Sequence, residues 1–172
     1  MIKINENKMK TLYIVRHAKS SWNFPELGDI DRPLNERGKR SAPEMGLRLT
    51  NKGIKPNLLI SSPAKRARST AKKIAKMIQY PKDRIIIEDK FYHGMEEDVI
   101  QVIRNTPNNN NELMIFGHNP GFTELANSLS GANIYNIPTC GIVAISFNTD
   151  NWKDIGTTSG ELIFFDYPKK ST

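Results

Sequence analysis

Leu12-Tyr13-Ile14-Val15, followed at once by Arg16-His17-Ala18, is the stretch that decides the fold. Four apolar residues in a row, with no polar alternation, suit a strand buried on both faces, as in a parallel sheet. A strand that ends in Arg-His places a fixed charge and an imidazole at its carboxyl end, where open α/β sheets bind ligands. Two further apolar runs end in the same way. Leu58-Leu59-Ile60 leads into Ser61-Ser62-Pro63-Ala64-Lys65-Arg66, and Leu113-Met114-Ile115-Phe116 leads into Gly117-His118-Asn119-Pro120-Gly121. Three strand ends thus deliver Arg16, His17, Arg66 and His118 toward one place. The simplest chemistry for that set is phosphoryl transfer through a phosphohistidine.

Around these three stretches the pattern alternates short apolar runs with helical segments, which predicts an α/β sheet. Strands are predicted at residues 11–16, 57–61, 85–88, 113–117, 141–147 and 161–166. Ala67, Ala71, Ile74, Ala75 and Ile78 form one apolar helix face, with Ser62 as N-cap and Pro63 at the first helical position. Val99, Val102 and Ile103 form a second, with Glu96 and Glu97 near its positive end. Phe122, Leu125, Ala126 and Leu129 form a third, opened by Asn119 and Pro120. A fourth helix over residues 36–49 contains Pro43, which predicts a kink or a later start. The last two strands are joined only by a polar loop and are predicted to pair antiparallel beside an otherwise mostly parallel sheet.

The length of 172 residues and the 38% apolar content suit one domain, with residues 1–10 and 169–172 as flexible termini. No apolar run approaches the ~20 residues of a membrane span, and the polar N-terminus lacks the core of a signal peptide. A single cysteine, Cys140, allows no internal disulfide, and a cytoplasmic protein is expected. The net charge of +7 is uneven: residues 1–86 hold 20 Lys/Arg against 7 Asp/Glu, residues 87–172 hold 5 against 11. A solvated basic surface and a field that draws anionic substrates both fit this asymmetry. Nucleic-acid binding does not, because the basic residues are interspersed with acids and no aromatic–basic interleaving offers a stacking platform.

A neutral imidazole at His17 can attack phosphorus and divide hydrolysis into two easier steps. Arg16 and Arg66 would disfavour its imidazolium by like-charge repulsion. A guanidinium at Arg66, in the first turn of a helix, can hold two phosphoryl oxygens in a fork. His118, between glycines that permit close approach, can donate to an equatorial oxygen. Other chemistries fail. No arginine follows Arg104, so Cys140 cannot serve a cysteine phosphatase. Asp29-Ile30-Asp31 follows no apolar strand and reads as a loop. Three histidines without a close pair make no metal site, and the turn at Gly117 lacks the Lys-Ser/Thr of a P-loop.

Together, Arg16-His17-x-x-Ser20-x-x-Asn23, the block from Ser62 to Ala71 and Gly117-His118-Asn119-Pro120-Gly121 resemble the histidine phosphatase, or phosphoglycerate mutase-like, superfamily. Asp31-Arg32-Pro33-Leu34-Asn35-Glu36-Arg37-Gly38, Pro138-Thr139-Cys140-Gly141, Trp152 and the stretch from Phe164 to Lys169 resemble its short SixA-type phosphohistidine phosphatases. The resemblance implies a three-layer fold: a mixed, mostly parallel sheet of about six strands with helices on both faces. It implies His17 as the phosphorylated nucleophile, Arg16, Arg66 and His118 as the phosphate pocket, and Ser20 and Asn23 on its rim. It implies neither metal nor cofactor. Ala18 stands where the motif often has glycine. Larger relatives carry a glutamate acid in an inserted segment after the third strand. Here Phe91-Tyr92-His93-Gly94-Met95-Glu96-Glu97 replaces it, so His93, Glu96 or Asp31 could donate the proton, or a protonated imidazole could leave unaided. The short segment leaves the pocket open to a phosphorylated protein, such as a histidine-phosphotransfer signalling domain. A phosphatase of sugar or nucleotide phosphoesters and a non-catalytic phosphate-binding module are the alternatives.

Overall fold

The computed structural model describes residues 9–170. Six strands, β1 (Lys10–Arg16), β2 (Leu58–Ser61), β3 (Ile86–Ile87), β4 (Glu112–Gly117), β5 (Ile142–Phe147) and β6 (Glu161–Asp166), form one sheet in the order β3-β2-β4-β1-β5-β6. β3, β2, β4 and β1 run parallel, whereas β1–β5 and β5–β6 are antiparallel. The expected antiparallel pair therefore lies at one side, and β5 also turns against β1.

Alternate side chains of the central strands enter opposite faces. Leu12, Ile14, Leu113, Ile115, Val143 and Ile145 pack with α4 (Glu96–Arg104) and α5 (Gly121–Ser130) through Val99, Ile103, Phe122, Leu125 and Leu129. Tyr13, Val15, Met114, Phe116, Leu59 and Ala144 pack with α1 (Glu36–Asn51) and α2 (Lys65–Met77) through Ala42, Met45, Leu49, Ala71 and Ile74. The result is a three-layer α/β sandwich. No helix among the described residues is long and apolar enough to cross a membrane.

Several local expectations are corrected. Lys10, assigned to a flexible terminus, begins β1 and is buried, because its ammonium donates to the Asn108 carbonyl at 2.6 Å and to Asn111 Oδ1 at 3.0 Å. Residues 1–8 and 171–172 of the expected termini lie outside the described residues. α2 starts at Lys65 with Ala64 as N-cap, rather than at Ser62-Pro63. The Ser62 hydroxyl accepts instead from Ala64 N–H, at 3.2 Å, in the turn before the helix. α1 runs unbroken through Pro43 from an Asn35 cap whose side chain accepts from Gly38 N–H. The carbonyl that Pro43 leaves unpaired belongs to Lys39, an exposed residue, so water can satisfy it. The one-turn α3 (Lys90–His93) was not expected.

Gly117 has a packing reason to be glycine. A Cβ there would stand 2.4 Å from Cζ of the buried Phe122 ring. Gly117→Ala is expected to lower stability by about 1–3 kcal/mol, as overpacked cores do. Urea unfolding checks this, and an unchanged midpoint would show that the Phe122 ring turns aside freely.

Candidate active site

The ends of β1, β2 and β4 lie level, and the residues just beyond them build the site. His17 N–H donates to the Gly117 carbonyl at 3.0 Å, and Cys140 N–H returns to the carbonyls of Arg16 and His17. The next peptide is held from the other side. Ala18 N–H donates to Thr70 Oγ1 at 2.9 Å, and Thr70 Oγ1 donates to the Arg66 carbonyl at 2.7 Å. Thr70 thus ties the first turn of α2 to the chain beside His17. The Ala18 methyl is fully buried in the core beneath α1 and α2, so the departure from glycine at this position is accommodated by packing.

The His17 ring is fixed by one bond, Nδ1 to the Ala18 carbonyl at 2.7 Å. A carbonyl only accepts, so Nδ1 carries the proton and the neutral ring has its lone pair on Nε2. Burial lowers the His17 pKa from 6.5 to about 4, with the charges of Arg66, Arg16 and Arg32 adding to it and the Ala18 carbonyl opposing. Like-charge repulsion thus acts as expected, but it ranks below desolvation. The His118 ring lies 5.1 Å from that of His17, centroid to centroid. Burial, then the His17 and arginine charges, bring His118 down to about 3. Its Nε2 is 2.8 Å from Ser62 Oγ. Ser62 is fully buried, and its Oγ also accepts from Ala64 N–H at 3.2 Å.

Arg16 donates from Nη1 to the Ile137 carbonyl at 2.9 Å. Arg66 is buried and reaches across to the short 3₁₀ turn Asp29–Asp31, donating from Nη1 to the Asp29 carbonyl at 2.6 Å and from Nη2 to Asp29 Oδ2 at 2.9 Å. Arg32 holds the other carboxylate oxygen, Oδ1, at 3.0 Å. Tyr92, whose ring stands 5.6 Å from that of His118, donates its hydroxyl to Asp29 Oδ2 at 2.6 Å. A buried histidine, His17, and a half-buried one, His118, are therefore surrounded by three arginines and one carboxylate.

Arg16, His17, Arg66 and His118 are brought together. Ser20 is not on a rim: it is buried, and its Oγ accepts from Arg32 Nη1 at 2.8 Å. Asn23 is exposed and lines a cleft of about 530 Å³ with Phe24, Pro33, Asn35 and Arg37. The three candidate acids stand apart. Asp31 and His93 are exposed, Glu96 is half-buried at the start of α4, and among the described residues none is hydrogen-bonded to Arg16, His17, Arg66 or His118. The His93 ring instead meets the Tyr92 ring edge at 4.0 Å. Asp29, Arg32, Ser62, Thr70 and Tyr92 were missed as site residues. Arg32, Ser62 and Thr70 lie within the quoted motifs, whereas Asp29 and Tyr92 meet across 63 positions and carry no local signal. Among the described residues no three His, Cys, Asp or Glu side chains cluster to hold a metal ion. Burial pushes the Cys140 thiol up to about 12, which leaves no thiolate nucleophile there.

The family profile described as Histidine phosphatase superfamily (branch 1) matches residues 12–93, a span that includes Arg16, His17 and Arg66. An uncharacterized chloroplastic protein of Arabidopsis thaliana is 31% identical over 160 residues, covering 88% of this chain and 72% of its own. The chain belongs to the histidine phosphatase superfamily. It is an enzyme of that phosphatase class. Phosphoserine phosphatase 1 of Hydrogenobacter thermophilus is 38% identical over 91 residues, which cover 51% of this histidine phosphatase and 41% of that protein. A solved structure of the protein histidine phosphatase SixA complexed with tungstate superimposes with a TM-score of 0.78. It covers 92% of this chain and 97% of its own at 17% identity, a likeness of fold.

The two lowered histidine pKa values make stability depend on pH. Between pH 6.5 and about 4 the unfolded chain binds protons that folded His17 and His118 exclude. Stability therefore rises with pH across that window, is fully present above it and is lost as the pH falls through it. The thermal midpoint is expected to drop from pH 6.5 to pH 5, and His118→Gln should flatten the drop. An equally steep fall in the variant would contradict the assignment for His118.

Proposed function

We propose that this protein hydrolyses phosphohistidine on a partner protein, with His17 as nucleophile. Nε2 of His17 attacks phosphorus in line. The new Nε2–P bond forms as the N–P bond of the substrate breaks, and the substrate imidazole leaves. Water then attacks the same phosphorus, its oxygen replaces Nε2, and phosphate departs. Arg16, Arg66 and His118 bind the three equatorial oxygens, where donors directed at developing charge are worth about 3 kcal/mol each. The observation that carries this reading is the Ala18 carbonyl bond to Nδ1, which leaves Nε2 as the free, unprotonated nitrogen of a buried ring.

Two features support a protein-borne substrate. The segment between β3 and α4 holds only the one turn of α3, a short cover on that side. An imidazole leaving group can depart protonated, and none of Asp31, His93 or Glu96 is bonded to the site residues. The fold also matches that of the protein histidine phosphatase SixA. The small-phosphoester alternative draws on the similarity to a phosphoserine phosphatase.

Rapid quench with labelled substrate should trap an acid-labile, base-stable phosphoenzyme, and His17→Ala should abolish both label and turnover, by at least about 1000-fold. Wild-type turnover in His17→Ala would remove the nucleophile. A comparison of kcat/KM between a phosphohistidine-bearing protein and a panel of phosphoesters tests the substrate. A preference of several orders for one small ester would overturn the protein-substrate reading, and orthovanadate binding without turnover would favour the binding module.

A further inference from the structure

The geometry points to Asp29 as a positioning residue that holds the Arg66 guanidinium and the Tyr92 hydroxyl in place at the phosphate site without exchanging a proton with the substrate. This rests on the proposed function only in naming the anion that Arg66 receives. Arg66 is a long side chain with its charge buried, and a buried cation needs a fixed partner. Among the described residues Asp29 is the one carboxylate that pairs with it. The pairing uses the backbone as well as the side chain: Nη1 donates to the Asp29 carbonyl and Nη2 to Oδ2. That carbonyl also accepts from Arg32 N–H within the 3₁₀ turn, so the anchor belongs to the framework of the loop.

A guanidinium has five N–H donors, and these two bonds leave three: one hydrogen on each Nη, available to a phosphoryl group, and the buried Nε–H, which has no partner among the described residues. The Asp29 carboxylate has partners on both oxygens in turn. Oδ1 accepts from Arg32, and Oδ2 accepts from Arg66 and Tyr92. Every partner is a donor, which an ionised carboxylate requires and a protonated one does not. The Tyr92 hydroxyl, with Arg66 and Arg32, holds Asp29 well below the usual carboxylate range. The same bond raises the Tyr92 phenol, so Tyr92 keeps its proton and spends it on Asp29. Asp29 therefore has no proton to give a leaving group near neutral pH. Its work is to set the direction of Arg66 and to brace Tyr92 beside His118.

The test uses the full chain with Asp29→Ala, Asp29→Asn and Tyr92→Phe. Orthovanadate affinity is read by calorimetry, and kcat and KM are read on a series of aryl phosphates of graded leaving-group pKa. Loss of charge-assisted bonds should weaken vanadate binding by about 10- to 100-fold in Asp29→Ala and raise KM by a similar factor. Asp29→Asn should fall between that variant and wild type. Tyr92→Phe, at a partly exposed side chain, should fold normally and weaken binding by about 2- to 10-fold. The slope of log kcat against leaving-group pKa should stay as in wild type. A steeper slope in Asp29→Ala would make Asp29 the general acid and overturn the proposal. Unchanged or tighter vanadate binding would also overturn it, the latter by making Asp29 a competitor for Arg66. A wild-type protein that binds vanadate but never turns over would defeat the proposed hydrolysis alone, because the loss of vanadate binding in Asp29→Ala would still support this role.

Discussion

Parallel pairing of β1 and β2 against β4 is the constraint on which the site depends. The register sets Arg16 opposite Gly117 and Ser61 opposite Phe116, so His17, Ser62 and His118 emerge at one edge as the first residues beyond their strands. Hydrogen bonds extend the order past the ladder, from His17 N–H to the Gly117 carbonyl and from Ser62 N–H to the Phe116 carbonyl. Core packing on both faces holds this register, because a shift of one residue would exchange the side chains meant for the two helical layers.

Electrostatics at that edge follow from the same burial. Desolvation is the largest influence on both histidines, and Arg66 and Arg16 act in the same direction on both, with Arg32 adding to them at His17. Three cations could not persist there without an acceptor network. The Ile137 carbonyl serves Arg16, Ser20 serves Arg32, and Asp29 serves both Arg32 and Arg66. The arginines that favour an incoming phosphate are thereby already paired and directed, which reduces reorganisation on binding.

The strands that form this edge were legible because they are buried on both faces and so read as continuous apolar runs. Arg16, His17, Arg66 and His118 were legible because each lies within one to six residues of such a run. What sequence reading misplaced involves residues with a second partner. Ser62-Pro63 has the form of a helix start, yet the Ser62 hydroxyl is shared between Ala64 N–H and His118. Lys10 looks like surface, yet the asparagine loop at 108–111 supplies its acceptors. Ser20 was expected to face substrate and faces Arg32 instead. Asp29 and Tyr92 gain their roles only when the loop after β1 and α3 meet over the site, a contact that no periodicity or local motif encodes.

The central claim is that the Ala18 carbonyl holds Nδ1 of His17 and directs Nε2 at phosphorus. A phosphorus–nitrogen correlation spectrum of the ¹⁵N-histidine-labelled phosphoenzyme tests it most directly. The account predicts a single coupling, from phosphorus to Nε2 of His17. Coupling to Nδ1 of that ring, or to either nitrogen of His118, would contradict it.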